Sequence, residues 1–209
     1  MKNLLTGLAR QFVVGLIALT ALTVVVGVAY PAAVWAVSRI NSDGAEGSKI
    51  TDADGCVVGS ELLGVDQHAK PGQPDKYLHA RFAGGVDDPT GAGDPSSSGA
   101  SNLGPNSADL VKIVDARRAA VAKREGVRPD QVPADAVTRS GSSLDPGIST
   151  AYADLQAPRI ARNTGLPLAE VRRIITDNTD GRQLGFLGEP TVNVARVNAA
   201  LGLTGPSCR

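Results

Sequence analysis

The chain has 209 residues, with 21 basic and 21 acidic side chains, two histidines and two cysteines. Balanced charge leaves no electrostatic footprint for nucleic acid, and the length holds one domain, or one domain with an anchor. Aromatic residues are only 3% of the chain, against 24 glycines and 13 prolines, so any core must rest on Val, Leu, Ile and Ala between many loop residues.

Residues 1–10 form a short N-terminal segment. From Gln11 to Ser38 no residue is charged, and Arg10 and Arg39 close the run. As a helix it would reach ~40 Å, more than the ~30 Å hydrocarbon core of a bilayer. A single transmembrane helix over 11–38 is therefore predicted. Tyr30 and Trp35 lie toward its second end, where interfacial aromatics sit, and Pro31 is expected to kink the last turns. A cleaved signal peptide has a shorter apolar core and a small-x-small site. Ala33-Val34-Trp35-Ala36-Val37 fits that poorly, so the anchor is expected to stay. The leading segment carries Lys2 and Arg10 and no acid, which favours the N-terminus inside and the remaining chain outside.

Residues 39–54, polar and glycine-bearing, read as a linker. Residues 55–204 are expected to form a small mixed α/β (α+β) soluble domain with few short strands, followed by a tail at 205–209. Cys56–Leu63 reads as a short strand with a glycine break. The Gly-, Asp-, Pro- and Ser-rich stretch 83–107 lacks periodicity, and is expected to be either disordered or a binding loop. Asn106 or Ser107 caps a helix from about Ala108 to Gly126, with Leu110, Ile113, Val114 and Val121 on one side and Arg/Lys on the other. Val137-Thr138 reads as a short strand. Ser149 caps a helix through Tyr152, Leu155 and Ile160 to Gly165, and 168–175 is a further amphipathic helix. Residues 189–194 begin extended, because Pro190 disfavours helix before it, and then turn helical through Val197 and Leu201.

Motifs for independent chemistry are missing. There is no phosphate loop or dinucleotide fingerprint and no nucleophile elbow. Neither an Asp-Lys-Thr-Gly-Thr phosphorylation sequence nor a Cys/His cluster with zinc-ligand spacing is present. A non-catalytic chain with no metal site is expected. Cys56 and Cys208 are either two unpaired thiols or one disulfide joining the start of the soluble domain to its end, which would need an oxidising compartment.

Several residues have plain structural readings. Leu144-Asp145-Pro146-Gly147 is a turn preceding the Ser149 cap. Asn102 and Asn193 bond loop backbone, Arg81 and Arg159 are surface or structural cations, and His79 is a loop residue. Gln156, on a polar helix face, would ordinarily meet solvent.

Six blocks in order nevertheless form a pattern. They are Tyr30-Pro31; Gly59-Ser60-Glu61-Leu62-Leu63-Gly64; Tyr77-Leu78-His79-Ala80-Arg81; and Ala100-Ser101-Asn102-Leu103-Gly104-Pro105. Then comes the run from Val137 to Ser149, which holds Ser140, Gly141, Leu144, Asp145, Pro146 and Ile148, continuing to Ala153, Gln156, Pro158 and Arg159. Last is Gly185 to Pro190 (with Gly188), then Val192, Asn193, Val194, Asn198 and Leu201. Together they resemble the C subunit of the bacterial Kdp-type potassium pump, a P-type ATPase, over nearly the whole chain. Phe82-Ala83 departs from that family's usual Pro-Ser.

The resemblance implies an accessory, non-catalytic subunit of an ATP-driven high-affinity potassium uptake pump in a bacterial plasma membrane, required for its assembly. Its implied partners are a channel-like potassium-binding subunit, a phosphorylated pump subunit and a small membrane subunit, with lipid around the helix and no nucleic acid. Potassium is the transported ion. The family is described as a catalytic chaperone that raises the pump subunit's affinity for ATP, and Gln156 matches the residue credited with touching shared nucleotide. The same family places this domain on the outer face, over the potassium entrance, where it would act as a structural cap without nucleotide. The two implications conflict.

Overall fold

The computed structural model describes residues 2–51, 55–64 and 66–203, in two units that divide between Glu46 and Gly47. The 205–209 tail, with Cys208, lies outside the described residues.

In the first unit, α1 (Lys2–Val24) leads through a π turn (Val25–Ala29) into α2 (Tyr30–Ser38). A 3-10 turn (Arg39–Asn41) and α3 (Ser42–Ala45) follow. Leu4–Ala45 is a 42-residue candidate membrane span with none of its apolar window buried. At 1.5 Å per residue it measures about 63 Å, twice the ~30 Å hydrocarbon core. The uncharged 11–38 stretch is thus the part suited to the core. Pro31 cannot donate to the helix ladder and crowds the carbonyl one turn back. A π turn sits just before it, with Tyr30 N–H bonded to Val25 O, which widens the helix where the ring needs room.

The segment read as a linker is more ordered than its composition suggests. Asn41 caps α3 by accepting from Gly44 N–H at 3.2 Å. Arg39 pairs with Glu46 at 2.9 Å and stands 5.5 Å over the Trp35 ring. The second unit starts within the same segment, with β1 (Lys49–Thr51), and residues 52–54 lie outside the described residues.

The second unit is an α+β domain. β1 pairs antiparallel with β2 (Val57–Ser60). After a long irregular stretch come α4 (Ala108–Glu125), a 3-10 turn (Pro129–Gln131), α5 (Ala134–Val137), β3 (Gly147–Ser149) and α6 (Thr150–Thr164). Among the described residues there follow α7 (Leu168–Asp177), β4 (Thr179–Asp180), β5 (Thr191–Asn193) and α8 (Val194–Ala200). The second sheet has the order β3-β5-β4, with Ile148 opposite Val192. Leu78, Val121, Ile148, Tyr152, Ile160, Val171, Val192 and Val197 share the core, which is aliphatic as the composition requires.

Capping chemistry sets the helix ends. Ser107 accepts from Leu110 N–H, and Gly126 closes α4 in the left-handed region. Ser149 accepts from Tyr152 N–H, and Gly165 closes α6 likewise. Asn193 opens α8 by accepting from Arg196 N–H. These are side-chain bonds to otherwise orphaned amides and glycine ends free of Cβ strain.

Two expectations need correction, and two strands carried no signal. Val137-Thr138 is not a strand: α5 ends at Val137, and Thr138 turns its hydroxyl back to Ala134 O at 3.2 Å. The β-branched pair suggested a strand, but the Thr hydroxyl serves the end of a helix instead. Strands β3 and β4 carried no periodic signal, being three and two residues long. On α4, Arg117 does not belong to a solvated face; it is 2% exposed.

Arg117 also binds part of the stretch 83–107 to α4. Its guanidinium donates to Pro89 O at 2.8 Å, Gly84 O at 2.9 Å and Val137 O at 3.1 Å. Ser98 Oγ and Gly99 N–H both bond Ser142 O, at 3.2 Å and 3.0 Å. The stretch is a placed loop, held by side-chain and backbone bonds in place of regular structure.

Gly64 shows how closely the loops pack. Its N–H bonds Leu144 O at 2.7 Å, and a Cβ here would stand 2.3 Å from the Asp145 carbonyl oxygen. Gly64→Ala should therefore destabilise the domain by about 1–3 kcal/mol through forced overpacking. Gly141→Ala, where a Cβ meets nothing within 4 Å, should stay within about 0.5 kcal/mol. Denaturant unfolding of the full chain in detergent reads both; equal losses would contradict the close-approach argument.

Candidate functional site: a buried amide clasp

Residues 77–81 belong to no helix or strand, yet Leu78, His79 and Ala80 are all buried. A buried backbone without a ladder partner needs other hydrogen bonds, and two helices supply them from side chains. Leu78 N–H donates to Asn198 Oδ1 at 2.8 Å, and Asn198 Nδ2 returns a bond to Leu78 O at 2.9 Å. On the next residue, His79 N–H donates to Gln156 Oε1 at 2.9 Å, and Gln156 Nε2 donates to His79 O at 3.1 Å. Each amide thus exchanges two bonds with one residue, as a partner does in an antiparallel ladder.

Around the clasp lies a polar layer. Arg159, 4% exposed, donates to Asp75 O at 2.9 Å, Tyr77 O at 3.0 Å and Gln156 Oε1 at 3.0 Å. Its Nε is 2.9 Å from Glu125 Oε2, joining α6 to the end of α4. Arg124 continues the layer to Glu125 at 2.6 Å and to the Tyr152 hydroxyl at 2.7 Å. The His79 ring lies between two carboxylates, with Nδ1 3.0 Å from Asp66 Oδ1 and Nε2 2.8 Å from Asp75 Oδ2. Burial opposes the charged ring, but the hydrogen bonds to Asp66 and Asp75 outweigh it and raise its pKa. For Asp75, burial pushes upward, while the bond to His79 and the charges of His79 and Arg159 bring it down to about 2.

Gln156 therefore does not face solvent. It is 0% exposed, and both atoms of its amide are engaged by the domain itself. Arg159 is a buried structural cation, and His79 sits in a loop but is 2% exposed.

The other motif residues form supporting joints. Arg81 pairs with Asp145, whose other oxygen accepts from Gly147 N–H at 2.8 Å. Pro146 O accepts from Val194 N–H at 3.0 Å. Ser149 donates to Asp135 Oδ1 at 2.8 Å, which ties α5 to the start of α6. Asn193 Nδ2 reaches Glu61 O at 2.8 Å, joining the Gly59-Ser60 block to β5. Ser60 Oγ donates to Gly47 O at 2.6 Å. Ser140 is buried and Gly141 exposed, and Ser101, Asn102 and Leu103 lie on the placed loop, with Asn102 at φ 52. Pro158 is accommodated inside α6. Tyr30 and Pro31 belong to the other unit, and Gly188 and Pro190 follow an exposed turn.

Sequence reasoning missed Arg117, Glu125, Asp66 and Asp75. A charged residue on an amphipathic helix reads as solvated, and nothing local marks the exceptions. It also saw no metal-ligand cluster, whereas Asp66, His68 and His79 come together in space.

The motif blocks run from the candidate span to α8, and the family comparison spans the same extent. The KdpC family model, described as "K+-transporting ATPase, c chain", matches residues 12–202. The chain belongs to the KdpC family. A potassium-transporting ATPase KdpC subunit of Streptomyces avermitilis is 47% identical over 220 residues, covering 96% of this chain and 97% of the relative. One from Kineococcus radiotolerans is 44% identical over 209 residues, covering 99% and 100%. The KdpC resemblance therefore extends through the clasp, the Arg81–Asp145 joint and the candidate span alike.

Replacing Gln156 by Ala would strand the His79 N–H and C=O in a buried site. A loss of about 2–4 kcal/mol is expected for two unsatisfied backbone groups, measured by denaturant unfolding of the full chain. Unchanged stability would show that the clasp does not carry the segment.

Proposed function

We propose that the chain is the accessory subunit of an ATP-driven potassium pump, holding its soluble domain on the outer face of a bacterial plasma membrane as a structural docking body. The observation that carries this is the long apolar helix Leu4–Ala45, none of whose apolar window is buried. In a bilayer such a surface meets lipid or other membrane helices, and a pump's polytopic subunits supply the latter. The partners are then the channel-like potassium-binding subunit, the phosphorylated pump subunit and the small membrane subunit. ATP stays with the pump subunit, and potassium is cargo of the whole assembly.

Two observations support the outer face. The leading segment is basic and free of acid, as an inside terminus is. Cys56 is disulfide-bonded, a state that persists in oxidising compartments and is rare in the cytosol. On that face no cytoplasmic ATP is within reach. Gln156, enclosed and fully bonded, then serves the domain's own architecture and acts on the pump only by keeping the docking body in shape. A surface turn adds an apolar contact feature: Leu184 is 83% and Phe186 69% exposed.

Topology is tested on intact cells with a membrane-impermeant thiol reagent, before and after an impermeant reductant, with lysed cells as control. Labelling from outside that appears only after reduction is expected. Labelling seen only after lysis would reverse the orientation and return Gln156 to consideration as a nucleotide contact. A chain truncated after Glu46 keeps the span but should fail to retain the other subunits through purification. Undiminished copurification and transport would overturn the docking role.

A further inference from the structure

We infer that Asp66, His68 and His79 form a binding site for a zinc ion or a similar late first-row divalent cation on the soluble domain. One donor atom from each lies within 4.8 Å of the other two. His79 Nδ1 is 3.0 Å from Asp66 Oδ1, and His68 Nε2 is 3.7 Å from Asp66 Oδ2. Ligands on one tetrahedral zinc, each about 2.0–2.1 Å from it, stand about 3.3 Å apart. Closing the set therefore needs only small shifts, and the residue that has room to make them is His68, whose side chain is 57% exposed.

The two buried ligands are already oriented from behind. Asp66 Oδ1 accepts the Ala80 N–H at 3.1 Å, leaving Oδ2 toward His68. His79 turns its far nitrogen to Asp75 at 2.8 Å, and Asp75 is held in turn by Arg159 at 3.1 Å. A ligating histidine whose second nitrogen donates to a carboxylate is the usual outer support of a protein metal site. His68 adds a third donor on the exposed side, where the fold itself does not need one. Two imidazoles and one carboxylate suit zinc, copper or nickel, whereas magnesium and calcium take sets of oxygens. Three protein ligands with an open side leave a position for water. On binding, the ion takes the place of the proton on His79 Nδ1, which passes to solvent, while the Nε2 proton stays on the ring and is donated to Asp75.

The test uses the full chain in detergent, without a polyhistidine tag or reductant, stripped with a chelator and titrated with zinc chloride by calorimetry. One saturable zinc equivalent per chain is expected, undisturbed by excess magnesium. His68→Ala should weaken it by about tenfold or more, taking outer-shell effects as the lower bound, and should leave the melting temperature of the metal-free chain unchanged. Absence of a saturable site, or binding indifferent to His68→Ala, would overturn the assignment.

Discussion

The domain depends on one constraint: a buried stretch of backbone with no strand beside it must still satisfy its hydrogen-bonding groups. Leu78 and His79 cross the core between α6 and α8, and the Asn198 and Gln156 amides take the place of a neighbouring strand. That substitution fixes both helices against the same segment. Arg159 extends it by gathering the Asp75 and Tyr77 carbonyls and meeting Glu125 from α4. Helices that share the aliphatic core are thereby also registered by polar bonds.

This arrangement follows from the composition. With few aromatics and strands of two to four residues, neither sheet is large enough to organise a core alone. Long loops must then be held by side chains that reach several carbonyls at once, and arginine, with five donors in a rigid fork, does this best. Arg117 ties the 84–89 loop and Val137 to α4 in the way Arg159 ties 75–77 to α6. Burying such cations is costly unless every donor is met, so these joints make the domain unforgiving of change in its interior.

Much of the fold was legible because helix ends announce themselves. Ser107, Ser149, Gly126 and Gly165 marked α4 and α6, and the apolar period of α7 was plain. Strands β3 and β4 were not legible, since they exist only because β5 lies between them. The clasp was half visible: Gln156, Arg159, His79 and Asn198 stood out through family resemblance, but their roles did not. Helical position placed Gln156 on the polar side, and only the tertiary crossing of 77–80 turns that side inward. The Asp66, His68 and His79 grouping was hidden for the same reason, because its members meet across a fold-back that has no sequence signature.

For a subunit of the KdpC family, the second unit is thus organised by a layer of buried polar residues and exposes large apolar side chains at Leu184 and Phe186. The most direct measurement is amide hydrogen exchange on the full chain in detergent, followed by mass spectrometry over the peptide that contains Leu78 and His79. If the two amides close off the segment, its exchange will be as slow as that of α6, despite the absence of regular structure. Exchange as fast as that of an unstructured peptide would contradict the clasp as the organising feature of the domain.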